Sequence, residues 1–154
     1  MPGETGIYHR HSSYLETNVQ AGLASGKVVK IEFTDQPAPD SMENGIELLD
    51  DIFEYLSGRE RTFDYQTSLT VSTQHREVLE RTADIPYGDT VTYGKLAASL
   101  GRKEDAEEVV HQVHDNPIPF VYPTHRVVET DSIGEFCGGR EIKRKLLEIE
   151  GGSY

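Results

Sequence analysis

Cysteine is almost absent from this chain, with Cys137 the single representative, which excludes an intramolecular disulfide and any zinc site built from several thiolates. No apolar run approaches the ~18 residues that a membrane-spanning helix needs. The N-terminus lacks a basic segment followed by an apolar one, so no secretory signal is expected and a cytoplasmic protein is the default reading. Neither G-x-G-x-x-G nor a Walker pattern occurs, so nucleotide phosphates are not an obvious ligand and no cofactor is expected. There is no internal repeat and no low-complexity tract. Positive charge is scarce as well: 15 basic residues, only six of them lysine, face 27 acidic ones for a net charge of −12. Such a charge keeps a protein soluble and repels polyanions in ordinary buffer. It fits a protein that contacts no nucleic acid, or one from a cytoplasm of molar salt, where the Debye length falls to about 3 Å and carboxylates hydrate the surface. The few lysines and the scatter of acids through every segment favour the salt-adapted, halophilic reading.

What is present reads as an α+β chain. Val28 to Phe33 alternates as a strand, Val28, Lys30 and Glu32 against Val29, Ile31 and Phe33, with a hairpin turn over Gly22 to Lys27 leading from an earlier strand near Tyr14 to Val19. After Pro37-Ala38-Pro39, Asp40 and Glu43 form a capping-box-like helix start, and Ile46, Leu49, Ile52, Phe53 and Leu56 recur at helical spacing until Gly58. The period is lost around 64–72. These breaks predict an N-terminal sheet-plus-helix domain over 1–66, a connector at 67–72 and a second domain over 73–154. In the latter, a helix is predicted from Thr73 to Ala83, closed by Ile85-Pro86-Tyr87-Gly88-Asp89. Thr92 caps a short helix stopped by Gly101, and another helix follows from Glu104 to His114 with Ala106, Val109, Val110 and Val113 inward. That pair has a helix-turn-helix outline, which a generic helical hairpin shares. A glycine-rich loop, Gly134 to Gly139, precedes a last helix from Arg140 to Glu150 with Ile142, Leu146, Leu147 and Ile149 on its buried side.

Three stretches stand out: Asp51 to Gly58; Ile85 to Ala97, of pattern I-P-x-G-x-x-x-x-Y-x-x-L-A; and Asn116-Pro117-Ile118-Pro119 with Pro123-Thr124-His125-Arg126-Val127. Together they resemble the O6-alkylguanine-DNA alkyltransferases over nearly the whole chain. The resemblance implies a C-terminal winged helix-turn-helix domain that binds duplex DNA by the minor groove, flips an alkylated guanine out of the stack and takes its alkyl group onto a cysteine. That cysteine is activated by a His held by a Glu, an arrangement that favours the thiolate. His125 and Glu150 match the pair. Thr124 stands where the family has its nucleophile, and where alkyltransferase-like relatives typically have Trp.

The same resemblance assigns Tyr93 to the flipped nucleotide, Asn116 to a bridge between the helix-turn-helix and the active-site loop, and Arg126 to a structural role beside His125. Cys137 and Gly138 fall in the loop lining the base pocket. Thr92, Ala106 and Glu107 fall at the DNA face, Glu107 at the place of the family's arginine finger, where a carboxylate has the wrong sign for a duplex. A threonine hydroxyl is a far weaker acid than a thiol of pKa near 8.5, so the usual transfer is expected to fail at Thr124.

Three functions follow as expectations. The first is a monomeric alkylguanine-DNA binder without the acceptor cysteine, which signals to a repair-protein partner. The second is a stoichiometric methyltransferase that uses Cys137 instead. The third is an interaction module that has lost DNA binding. His9 with His11, and His111 with His114, where Glu107 lies four residues before His111, suggest metal ligands, but surface histidines on an acidic helix explain that spacing with no metal.

Overall fold

The computed structural model describes residues 4–43 and 46–152. The chain divides into two compact units, Met1–Leu69 and Thr70–Tyr154.

In the first unit, β1 (Gly6–Ser12), β2 (Thr17–Ala24) and β3 (Lys27–Thr34) form an antiparallel meander, and the short β4 (Met42–Glu43) adds in parallel beside β1. The hairpin turn is tighter than the sequence suggests. Ser25 and Gly26, with φ of 51° and 78°, make a two-residue turn whose twist matches the flanking strands, and Gly22 lies inside β2. The expected alternation along β3 also fails, for a definable reason. The register shifts between Gly22 and Leu23, which pair with Lys30 and Val28, so Val29 is left as the extra residue of a bulge. Val28 and Ile31 therefore both face the core while Val29 is exposed.

Helix α1 (Glu47–Leu56) starts later than Asp40 and Glu43 suggest; its first residue follows Ile46 and no side chain caps it. Glu43 pairs with His9 in the sheet instead, where extended backbone at 42–43 competes successfully with the local capping pattern. Leu48, Leu49, Ile52, Tyr55 and Leu56 are buried, and Gly58, at φ 100°, ends the helix as expected. Arg10 of β1 fixes the helix against the sheet, bonding Asp50 at 2.8 Å and lying 5.0 Å over the Phe53 ring.

The second unit opens with α2 (Thr73–Thr82), whose first turn is closed by the Ser72 hydroxyl accepting from His75 N–H. After β5 (Val91–Thr92) comes α3 (Tyr93–Ser99), then one turn of 3₁₀ helix at Lys103–Asp105, then α4 (Ala106–His114), so α4 begins two residues later than the sequence suggests. Helices α3 and α4 form the helix-turn-helix pair. Arg102 braces the turn, donating to Gln112 Oε1 at 2.8 Å and Asp105 Oδ2 at 2.7 Å. Beneath it lies one apolar cluster of Val78, Ile85, Tyr93, Leu96, Ala97, Val109, Val113 and Val127, with Ala106 and Val110 at its margin. β6 (Val127–Val128) pairs in parallel with β5, and α5 (Arg140–Ile149) closes the unit.

Candidate functional site

The stretch 116–127 is the unusual part of the second unit: it has almost no regular backbone, yet apart from Pro117 every residue in it is buried. Its polar groups must find partners inside the protein. Asn116 supplies most of them. Its Nδ2 donates to Tyr122 O at 2.8 Å and to Thr124 Oγ1 at 2.9 Å, while its Oδ1 accepts from Ile118 N–H at 2.9 Å. Both amide hydrogens and one acceptor site of the oxygen are thus spent on holding the loop that presents Thr124. Phe120 sits at φ 73°, a region that is sparsely populated for a bulky side chain and costs on the order of 1–3 kcal/mol.

Thr124, 2% exposed, begins a single 3₁₀ turn with His125 and Arg126. His125 Nε2 lies 2.7 Å from Glu150 Oε2. Arg126 grips the same carboxylate from its other side, Nε to Oε1 at 2.9 Å and Nη2 to Oε2 at 3.1 Å, and donates from Nη1 to Ile85 O at 2.8 Å. Gly88 N–H completes the set at 3.0 Å from Oε1. Burial holds His125 below its ordinary imidazole pKa despite the opposing pull of Glu150, so the ring is neutral at pH 7. It is a base oriented by a carboxylate, next to a hydroxyl.

Tyr93, 5% exposed, forms a second cluster. Its hydroxyl meets His114 Nε2 at 3.0 Å, Lys143 Nζ at 3.4 Å and Glu135 O at 3.5 Å. Lys143 is fully buried, donating also to Val127 O at 2.6 Å and Glu135 O at 2.9 Å and lying 5.5 Å from the Tyr93 ring centre. Desolvation lowers the Lys143 pKa to about 8 and raises that of Tyr93.

Gly134, at φ 78°, lies on this cluster. A Cβ there would come 3.1 Å from Glu129 Cγ and 3.3 Å from Tyr93. Gly134→Ala is expected to lower stability by about 1–2 kcal/mol through strain at a left-handed position and crowding. Urea unfolding checks this, and an unchanged midpoint would show that the loop adapts freely.

The remaining candidates lie apart from these clusters. Cys137 is exposed in the loop before α5, with Gly138 beside it. Desolvation by the surrounding protein pushes its thiol up, to about 12, and the charges acting on it are Lys143 and Asp115 rather than His125 and Glu150. That direction is opposite to what a reactive thiolate requires. Thr92 Oγ1 accepts from Lys95 N–H at 3.2 Å and so caps α3. Ala106 is half-buried and Glu107 exposed in the first turn of α4, where with Glu108 it favours the positive end of the helix dipole.

Among the described residues no group of three or more His, Cys, Asp or Glu is arranged to hold a metal ion, and no helix is long and apolar enough to cross a membrane. Lys143 and the partnership of His114 with Tyr93 are absent from the sequence reading. Lys143 sits in the run Lys143-Arg144-Lys145, which reads as a solvated face. The only advance sign for Gly88 was its place in a Pro-Tyr-Gly turn.

The fold is similar to that of solved alkyltransferases. Mycobacterium tuberculosis OGT in complex with DNA superposes with a TM-score of 0.80 at 24% identity, covering 93% of this chain and 92% of that one. The O6-methylguanine-DNA methyltransferase of Pyrococcus kodakaraensis gives 0.74 at 25% identity, covering 95% and 99%. These define the class: an α+β chain with the alkyltransferase fold. The profile of the 6-O-methylguanine DNA methyltransferase, DNA binding domain, matches residues 73–152. The methylated-DNA–protein-cysteine methyltransferase of Methanopyrus kandleri is 39% identical over 102 residues, 66% of this chain and 76% of that protein, and the one from Archaeoglobus fulgidus is 33% identical over 135 residues, 84% and 89%. The chain belongs to the O6-alkylguanine-DNA alkyltransferase family.

Proposed function

We propose that this chain is a DNA-repair protein that binds alkylated guanine in duplex DNA without accepting the alkyl group. The observation that carries the reading is at position 124: the apparatus that orients a nucleophile is complete, but it is built around a threonine. Asn116 bonds the residue-124 side chain, His125 and Arg126 are held by Glu150, and the residue between Pro123 and His125 offers only a hydroxyl. A neutral imidazole cannot generate enough alkoxide from it to displace guanine from an alkyl carbon. The only thiol has a pKa raised by its surroundings, which supports a spectator role for Cys137. Tyr93, Asn116, Arg126, Cys137 and Gly138 then belong to the base pocket and its support, and Thr92, Ala106 and Glu107 to the face turned to the duplex.

Glu107 favours a second reading, an interaction module on the same fold that no longer holds DNA, since an exposed carboxylate opposes a polyanion. A salt-rich cytoplasm would soften that repulsion while weakening counterion release. The deciding experiment is intact-protein mass measurement after incubation with a duplex carrying O6-methylguanine, in low and high salt, with band shifts on the same samples. Lesion-selective binding and no gain of a methyl group are expected. A methyl on Cys137 would overturn the non-catalytic reading, and absence of binding at every salt would favour the interaction module.

A further inference from the structure

His114 enters the sequence only as a doubtful metal ligand, yet it makes the shortest contact to the Tyr93 hydroxyl. The Tyr93 oxygen has one hydrogen and two acceptors within reach, His114 Nε2 at 3.0 Å and Glu135 O at 3.5 Å, while Lys143 Nζ donates to it at 3.4 Å. In the neutral tautomer that carries its hydrogen on Nδ1, Nε2 accepts from the Tyr93 hydroxyl and the phenol hydrogen points to α4. The rings meet edge to face, 5.6 Å between centres at 82°, so the imidazole also fixes the plane of the phenol. Once protonated, Nε2 carries a hydrogen and becomes a donor. The phenol oxygen then accepts from both His114 and Lys143, and its own hydrogen is left with Glu135 O, which already accepts from Lys143.

We propose that His114 is a positioning residue that sets the direction of the Tyr93 hydroxyl, so that engagement of an alkylated guanine by the Tyr93 pocket is acid-sensitive. The proposal rests on the DNA-binding reading for its second half only. The groups facing His114 are Tyr93 from α3, Lys143 from α5, Glu129 and Glu135 from the loop after β6, and His111 from its own helix. Burial, then Lys143, hold its pKa below the ordinary imidazole value against the pull of Glu135 and Glu129. The switch therefore lies on the acid side of neutrality, and Lys143, with its pKa lowered to about 8, stays largely charged throughout it.

The direction of the effect separates this from bulk electrostatics. Acidification reduces the negative charge of a protein at −12 and so strengthens its attraction to DNA, whereas the switch weakens it. His114→Gln keeps an acceptor that does not titrate, and His114→Leu keeps bulk with no acceptor. Between about pH 5 and about pH 7.5, below the main titration of the lysine, lesion-duplex affinity of the wild type should fall relative to that of His114→Gln as His114 protonates. At the upper pH, His114→Leu should bind about five-fold more weakly than the wild type, the worth of one net hydrogen bond, with His114→Gln near wild type.

A second measurement needs no DNA: the Tyr93 ring carbon signals of the free, labelled protein, followed by NMR, should titrate with the midpoint of the His114 signals and stay flat in His114→Gln. Tyr93 signals indifferent to His114 would overturn the proposal. So would equal pH profiles for wild type and His114→Gln, or undiminished binding by His114→Leu. Coupled titration in a protein that binds no duplex would uphold the positioning role and instead sink the DNA-binding reading.

Discussion

Thr124→Cys is expected to convert the chain from one that takes up no methyl group into one that takes up a single equivalent from O6-methylguanine in duplex DNA. The substitution exchanges a hydroxyl for a thiol with an ordinary pKa near 8.5, and it does so beside His125, which burial keeps neutral and able to accept a proton. Glu150 fixes that ring through Nε2, and Asn116 Nδ2, which now donates to Thr124 Oγ1 at 2.9 Å, is placed to meet the sulfur instead. Losing one methyl from a 2%-exposed site costs about 1 kcal/mol, too little to unfold a domain. Thr124→Ser is the control, since it opens the same space without a thiol. Peptide mapping after incubation with lesion duplex should find the methyl on residue 124 of the Cys variant and nowhere in the Ser variant. A Cys variant that binds the lesion and stays unmodified would show that His125 and Glu150 are no longer an activating pair.

Glu150→Ala should be the most destabilising single change in the second unit, by about 3–5 kcal/mol, because it strands a buried guanidinium. That carboxylate accepts hydrogen bonds from His125, from Arg126 through two nitrogens and from Gly88 N–H. Among the described residues Arg126 would keep Ile85 O as a hydrogen-bond partner and the Tyr87 ring, 5.8 Å from its guanidinium carbon. The double variant Arg126→Met with Glu150→Leu removes both charges and should recover much of the loss, as replacements of buried ion pairs by apolar groups often do. Urea unfolding of the wild type, the single and the double variant forms the test. A double variant no more stable than Glu150→Ala would mean that the network holds its neighbours by hydrogen bonds to Gly88 and Ile85 rather than by mutual charge. Acid acts in the same direction as the single change. His125 has its folded-state pKa depressed, so the unfolded chain binds its proton first, and stability is lost as pH falls through the ordinary imidazole range.

Sequence showed most of what depends on local rules. The cap at Thr92, the stops at Gly58 and Gly101 and the extents of α2 and α5 are each set within a few residues, and the structure has them there. What was not legible depends on distant partners. Val29 is an ordinary strand residue until β2 is laid beside it and the register slips at Gly22. Asp40 and Glu43 have the spacing of a capping box, but β1 offers residues 42–43 a better use. At the candidate site, hydrogen bonds join Asn116 to Thr124, and Glu150 to His125 and Arg126. Lys143 did not announce itself, because its burial depends on the carbonyls of Val127 and Glu135, which no helical period encodes. The same is true of His114, whose significance lies wholly in the phenol it faces.

The burial of 116–127 bears on how the protein moves. Irregular loops usually exchange their amide hydrogens within seconds, because water reaches the backbone without any unfolding. Here the segment lies inside the unit, tied by Asn116 and by the Thr124 N–H donating to Tyr122 O at 2.7 Å, so its amides should open only when the whole second unit opens. Deuterium would enter the exposed stretch from Glu129 to Ser132 long before it reached Thr124, and the slowest-exchanging backbone of the unit would include a stretch that is neither helix nor sheet.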